Sequence, residues 1–144
     1  MRRLGKFLRL SNSERWSLAE SLVLLGIARL ALLMMPFRYL EPFLGMHMAE
    51  SPNTANPYYR DLVERVSWAV RTASRYLPWE CTCLAQAMAG KSMLKRRGVQ
   101  STLYLGVAKD SEKNLKAHAW LRSGNVTVIG SQGMDQFSVI STFT

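Results

Sequence analysis

The apolar pattern of the first third of the chain predicts one long helix. Residues 17–37 are almost continuously apolar and end near Pro36, which cannot continue a helix. Glu20 and Arg29 interrupt the run, and an arginine at the middle of a bilayer costs roughly 2.5–3.5 kcal/mol, so a simple membrane span is disfavoured. We therefore predict a helix that is buried on most of its faces, packed on its own domain or docked on a partner protein. Contact with a membrane surface is the less favoured alternative.

A regular 3.6-residue period predicts a second helix after a linker at residues 41–57. Asn56 and Pro57 supply the start, with Asn as the N-cap and Pro at the first helical position, and Pro78 ends the helix. Its arginines fall on other faces, which is typical of a solvated surface. The apolar positions that share one face are Leu62, Val66, Ala69, Val70, Ala73 and Leu77.

The third helical stretch begins at a cysteine. Thr82 is in position to cap it, which leaves Cys83 in the first turn, and Gly98 follows the last turn as the C-terminal glycine. A thiol in that place feels unpaired backbone N–H groups and the positive end of the helix dipole, so we expect the pKa of Cys83 to lie below that of a free cysteine. A small buried apolar cysteine without chemistry is the alternative.

Four short segments rich in β-formers follow this helix, and the second of them carries His118. A cysteine-headed helix, a strand, a histidine-bearing strand and its hairpin partner are the layout of papain-like and transglutaminase-like enzymes. The pattern therefore predicts Cys83 as a nucleophile and His118 as its base. The segments are residues 101–107, 116–121, 126–129 and 137–143, and the hairpin turn is Ser123-Gly124-Asn125.

Charge and cysteine usage narrow the possible partners and compartment. The net charge of +9 over 144 residues favours acidic partners, although a solvated basic surface explains it equally well. No zinc-finger, RNP or Walker pattern is present, so we expect no nucleic-acid partner. Cys81 and Cys83 are too close for an unstrained disulfide, which suits a reducing compartment. Together with only His47 and His118 they lack metal-ligand spacing, so we expect no metal site.

Several motifs in a fixed order carry a family resemblance. The run CLAQA, MLKRRGV, LYLGVAKD, AHAWLRSG and VIG resembles the B2 proteins of lasso-peptide biosynthesis, a branch of the transglutaminase-like cysteine peptidases. The resemblance implies a cytoplasmic leader peptidase, soluble or peripheral to the membrane, which cuts a ribosomally made precursor so that a separate cyclase can close the new N-terminus. It implies that Cys83, directly before Leu84, is the nucleophile and Cys81 a bystander. His118 would be the general base and acid.

The same resemblance sets expectations for partners. Some relatives fuse a leader-binding domain to the peptidase, and we expect no such domain in front of this one. The implied partners are therefore the precursor peptide with its leader and core, a small separate leader-binding protein of the B1 type, and the cyclase. The N-terminal helical region is the expected docking surface.

The third member of the catalytic set is the point at which this chain departs from the family scheme of Cys-His-Asp. The strand after the histidine contains no carboxylate. A two-residue turn would put Ser131 opposite His118, and a slipped turn would put Ile129 there. Asp135 is the first carboxylate available and is the predicted orienting group, with Ser131 or Gln132 as alternatives.

We therefore predict an α+β fold with a transglutaminase-like or papain-like core. Residues 1–50 would form a helical N-terminal extension for packing or docking, and residues 51–144 the peptidase domain. The predicted reaction is hydrolysis of a peptide bond by a thiol mechanism, with no metal and no cofactor. Two other functions stay open, namely acyl or amide transfer by the same pair and non-catalytic peptide binding as a scaffold.

Overall fold

The computed structural model describes residues 5, 8–34, 59–77, 82–109, 112, 114–124, 126–131 and 136–143. Helices come first along the chain and strands second. The helices are α1 (Asn12–Met34), α2 (Arg60–Tyr76) and α3 (Cys83–Arg96). The strands are β1 (Thr102–Lys109), β2 (Leu115–Ser123), β3 (Val126–Ile129) and β4 (Ser138–Phe143).

The four strands form one antiparallel sheet in the order β3-β2-β1-β4. β2, which carries His118, therefore lies inside the sheet between β1 and β3. The α3 helix packs on β2 with one side and on α1 and α2 with the other. The predicted α+β architecture is confirmed, and the predicted bounds of β3 agree with the structure at both ends.

The α1 helix starts earlier than the apolar run suggests, because a capping box precedes it. The backbone N–H of Ser11 donates to the Glu14 carboxylate at 2.8 Å, and the N–H of Glu14 donates to the Ser11 hydroxyl at 3.3 Å. One face, with Leu18 and Leu25, enters the common hydrophobic core.

The opposite face of α1 differs from our prediction of burial on most sides. Its large apolar side chains are more than half exposed, because among the described elements α2 and α3 cover the other side of the helix. The helix is long and apolar enough to cross a membrane, a property that the core helices of soluble proteins share. The exposed large apolar residues of α1 are Trp16, Val23, Ile27, Leu30, Leu33 and Met34.

A clasp of charged side chains joins α1 to the end of α3. The Glu20 carboxylate accepts from Arg97 through both of its oxygens, at 3.3 and 2.8 Å. It also accepts from Arg96 at 2.8 Å. Since the clasp bridges the first and third helices, it fixes how the N-terminal helix lies on the core.

The α2 helix buries the apolar face that its periodicity predicts. Its first residue in the structure is Arg60, and the predicted start at Asn56-Pro57 lies outside the described residues. At the other end Leu77 is extended, with ψ 143°, as expected for a residue that precedes a proline. The buried residues are Val63, Val66, Ala69, Val70 and Ala73.

Candidate active site

Cys83 is the first residue of α3, in the place that the capping pattern predicts. The Thr82 hydroxyl accepts a hydrogen bond from the backbone N–H of Ala85 at 3.2 Å, so Thr82 is the N-cap. The helix is followed, as predicted, by the C-terminal glycine Gly98, whose φ of 72° only glycine adopts easily. The Cys83 side chain is free and exposed, so a substrate in solution could reach the sulfur.

The predicted direction of the Cys83 pKa shift is wrong. Partial burial raises the pKa of the Cys83 thiol, and a hydrogen bond from its own backbone N–H, which lowers it, has the smaller effect. The residue as a whole is exposed, so water still reaches the sulfur and limits the effect of burial. At neutral pH the free protein therefore carries Cys83 as a thiol, and a nucleophilic role requires a base.

His118 lies in β2 directly opposite Gly106 of β1. Its half-buried imidazole contacts two aromatic rings: Trp120, with ring centroids 5.7 Å apart, and Phe137, at 5.1 Å. The Nε2 atom is 2.7 Å from the carbonyl oxygen of Gly130. Three neighbours therefore fix the position and tilt of the ring.

Gly130 reaches this position because of a bulge in β3. The turn has the predicted two-residue form, with Ser123 opposite Val126, but the register then shifts so that Leu121 is opposite Ile129. Val128 is the extra residue. Neither of the two registers that we considered from the sequence is present beyond the bulge.

The sheet face that carries His118 also carries an ordered aromatic group. Trp120 stacks on Tyr104 with centroids 5.5 Å apart and an interplanar angle of 9°. The Tyr104 hydroxyl in turn accepts from Nε of Arg122 at 2.9 Å. Because these side chains hold Trp120, they hold one wall of the His118 site.

Ideal helix and strand dimensions lead us to expect Cys83 and His118 at about the same height on the sheet. An added Cβ at Gly90 would be 3.0 Å from the Leu121 side chain, so these two residues mark one level. From Gly90 back to Cys83 is seven helical residues, a rise of about 10.5 Å. From Leu121 back to His118 is three strand residues, about 10 Å. The short connection from α3 to β1 favours an antiparallel arrangement of these two elements, and β1 is antiparallel to β2, so we expect both steps to lead to the same end of the sheet.

Along β2 the side chains of Leu121 and His118 point to opposite faces of the sheet. Side chains alternate between the faces of a strand, so Leu121 faces α3 and His118 shares the other face with Trp120. The β2–β3 pairing ends at Leu121, and the imidazole reaches toward that open edge, where it meets Gly130. Among the residues that the structure describes, no hydrogen bond joins Cys83 to His118. Their pairing remains a prediction.

The other predicted candidates are only partly placed. Ser131 is described and exposed. Cys81, Gln132 and Asp135 lie outside the described residues, as does His47. Sequence reasoning missed Gly130, although a glycine directly after the strand that pairs with the histidine strand was a usable signal.

Comparison with known proteins identifies one family. The sequence profile described as the transglutaminase-like superfamily matches residues 31–142. This range covers more than half of the chain and includes both Cys83 and His118. No curated protein and no solved structure matches the chain. The superfamily contains cysteine peptidases and transferases, so the fold is of the cysteine-peptidase type.

Proposed function

Because the chain belongs to the transglutaminase-like superfamily, we propose that it is a cysteine peptidase that cleaves the leader from a ribosomally made lasso-peptide precursor. The observation that carries this proposal is the exposed thiol of Cys83 at the capped N-terminus of α3, a helix that packs on β2, the strand that carries the held imidazole of His118. The choice of precursor rests on the resemblance of the CLAQA to VIG motifs to the B2 proteins.

The proposed reaction starts from a thiol rather than a standing thiolate. His118 takes the proton from Cys83 as the sulfur attacks the scissile carbonyl carbon, and the N–H groups of the first turn of α3 stabilise the oxyanion. The C–N bond breaks as His118 returns the proton to the leaving amine. Water then hydrolyses the thioester and regenerates the thiol. This sequence requires the sulfur of Cys83 and the imidazole of His118 to come within hydrogen-bond distance when substrate or a partner binds.

The proposed partners follow from the resemblance and fit the charge of the chain. A protein with a net charge of +9 attracts acidic peptides, and a leader presented by a small B1-type protein would meet this surface. The cyclase would act next, on the N-terminus that cleavage releases. We propose a cytoplasmic location, because the precursor is made there.

Non-catalytic peptide binding is a second candidate, because two observations favour it. The pKa of Cys83 is raised rather than lowered, and no hydrogen bond joins its thiol to the imidazole of His118. Amide transfer by the same pair is a third, since the superfamily also contains transferases.

The test is a reconstituted cleavage assay with precursor and leader-binding protein, followed by mass spectrometry. We expect Cys81→Ser to retain cleavage, and Cys83→Ala and His118→Ala to abolish it. A product that has gained water indicates hydrolysis, and one that has gained an added amine indicates transfer. Cleavage by Cys83→Ala at the wild-type rate would reject the peptidase, and leader binding without cleavage by the wild type would favour the scaffold.

A further inference from the structure

We propose that the main-chain carbonyl of Gly130 is the group that orients His118, in the place where a side-chain carboxylate such as Asp135 was expected. The contact between Nε2 and this oxygen is 2.7 Å long. A carbonyl oxygen only accepts, so Nε2 must donate. The neutral imidazole is therefore held with its proton on Nε2 and its lone pair on Nδ1. Nδ1 is then the atom that can take a proton from a thiol.

The direction of this carbonyl depends on residue 130 being glycine. Gly130 has a φ of 80°, in the left-handed region, and an added Cβ would lie 2.5 Å from the carbonyl oxygen of Ala119. That neighbour is backbone and cannot move away cheaply. A side chain here would displace the main chain and turn the carbonyl away from Nε2.

The α2 helix holds the bulge that positions Gly130. The carbonyl of Val128, the bulged residue, accepts from the Ser67 hydroxyl at 2.8 Å and from Arg71 at 3.4 Å. These contacts give a buried strand carbonyl the partners that the irregular sheet denies it. The orienting group is thus connected through β3 to a core helix.

The aromatic neighbours of His118 also orient the imidazole, because they limit its rotation. Trp120 and Phe137 both contact the imidazole. Gly106, opposite His118, leaves room for them, since a Cβ there would lie 2.8 Å from the Trp120 ring and 2.9 Å from Cβ of Phe137. The ring is therefore set by packing and by one main-chain acceptor.

A carbonyl differs from a carboxylate in a way that can be measured. It fixes the tautomer but brings no negative charge to stabilise the imidazolium that forms during proton transfer. The site would then need no side-chain acid after β3, and Ser131, Gln132 and Asp135 would be dispensable. The tautomer part of this inference stands alone, and its catalytic part rests on the proposed function.

The first experiment is nitrogen-15 NMR of the imidazole together with cleavage kinetics. In the wild type we expect the signature of a proton on Nε2. Gly130→Ala should give a mixture of tautomers and lower kcat by about 10- to 100-fold with KM nearly unchanged, because a misplaced group of this kind costs that much. The matched control is Gly98→Ala, which has a similar φ of 72° but open space around the new Cβ. It should keep the tautomer and kcat.

The second experiment does not depend on the folding of Gly130→Ala. The triple variant Ser131→Ala, Gln132→Ala, Asp135→Asn should keep both the tautomer and kcat. Loss of either in the triple variant, or retention of both in a folded Gly130→Ala, would overturn the inference. Failure of the proposed function is separate: Cys83→Ala would then cleave at the wild-type rate, whatever the NMR signature of His118.

Discussion

The charged clasp between α1 and α3 contains one strong contact and one weak one. Arg97 is 23% exposed and bonds both oxygens of Glu20, whose side chain is 15% exposed. Arg97 is also held by a 3.0 Å hydrogen bond to the Met93 carbonyl. Hydrogen bonds to charged groups contribute about 1.5–3 kcal/mol where water is largely excluded. Arg96 is 68% exposed, and exposed ion pairs contribute about 0–1 kcal/mol.

The loss of stability expected on removing the Glu20 carboxylate follows from this difference in exposure between Arg97 and Arg96. Glu20→Gln should lower the free energy of unfolding by about 1–2 kcal/mol, between the values for buried charged hydrogen bonds and for exposed ion pairs, because both partners keep some contact with water. Nearly all of the loss should come from Arg97. The equal shortest separation of 2.8 Å for both arginines makes this a test of burial and of the second hydrogen bond of Arg97 rather than of distance.

Double-mutant cycles measured by urea unfolding would separate the two contacts. Arg97→Met and Arg96→Met keep an apolar stem and serve as matched partners for Glu20→Gln. We expect a coupling energy of about 1–2 kcal/mol for Glu20 with Arg97, and below about 0.5 kcal/mol for Glu20 with Arg96. Equal couplings, or a larger one for Arg96, would refute the reasoning from burial.

Three further predictions concern substitutions at single positions. In a Cys81→Ser background, the alkylation rate of the free protein should rise with pH, with a midpoint above the ordinary cysteine pKa of 9.0, because burial raises the pKa of Cys83. A midpoint well below pH 9.0 would contradict this. Burial of Lys91 lowers its pKa to about 8 from 10.5, so the unfolded chain binds more protons between these values, and the wild type should gain stability relative to Lys91→Met from pH 7.5 to 10. Urea unfolding should show a gain of about 1–2 kcal/mol, less than the full shift implies because solvent screens part of it, and a constant difference would contradict the buried charge. Gly106→Ala should cost about 1–3 kcal/mol through its clash with Trp120 and change the near-ultraviolet circular dichroism, whereas Gly26→Ala, with open space around it, should not destabilise α1.

The bounds of α3, the helix that begins at Cys83, could be predicted from the sequence. The Thr82 cap and the left-handed Gly98 confirm the predicted bounds of α3, since both depend on residues a few positions away. The capping box of Ser11 and Glu14 also marks the start of α1, whereas the apolar run begins only at residue 17.

The parts that sequence could not supply depend on contacts between distant residues. The hairpin turn was predicted, yet the register beyond it depends on a bulge whose carbonyl bonds Ser67, which is 61 residues away in the chain. The position of Cys83 in the first helical turn predicted a lowered pKa, whereas burial by the surrounding fold raises it and outweighs the hydrogen bond from its own backbone N–H. The exposed face of α1 likewise depends on which elements cover it.

The order of the strands has a consequence for folding kinetics. Cys83, His118 and Gly130 all come from one continuous stretch in which α3, β1, β2 and β3 pack on their neighbours in sequence. Short loops close quickly, so this stretch should form in the early part of folding. The clasp between Glu20 and Arg97, 77 residues apart, should close late. Changes in α1 would then speed unfolding far more than they slow folding.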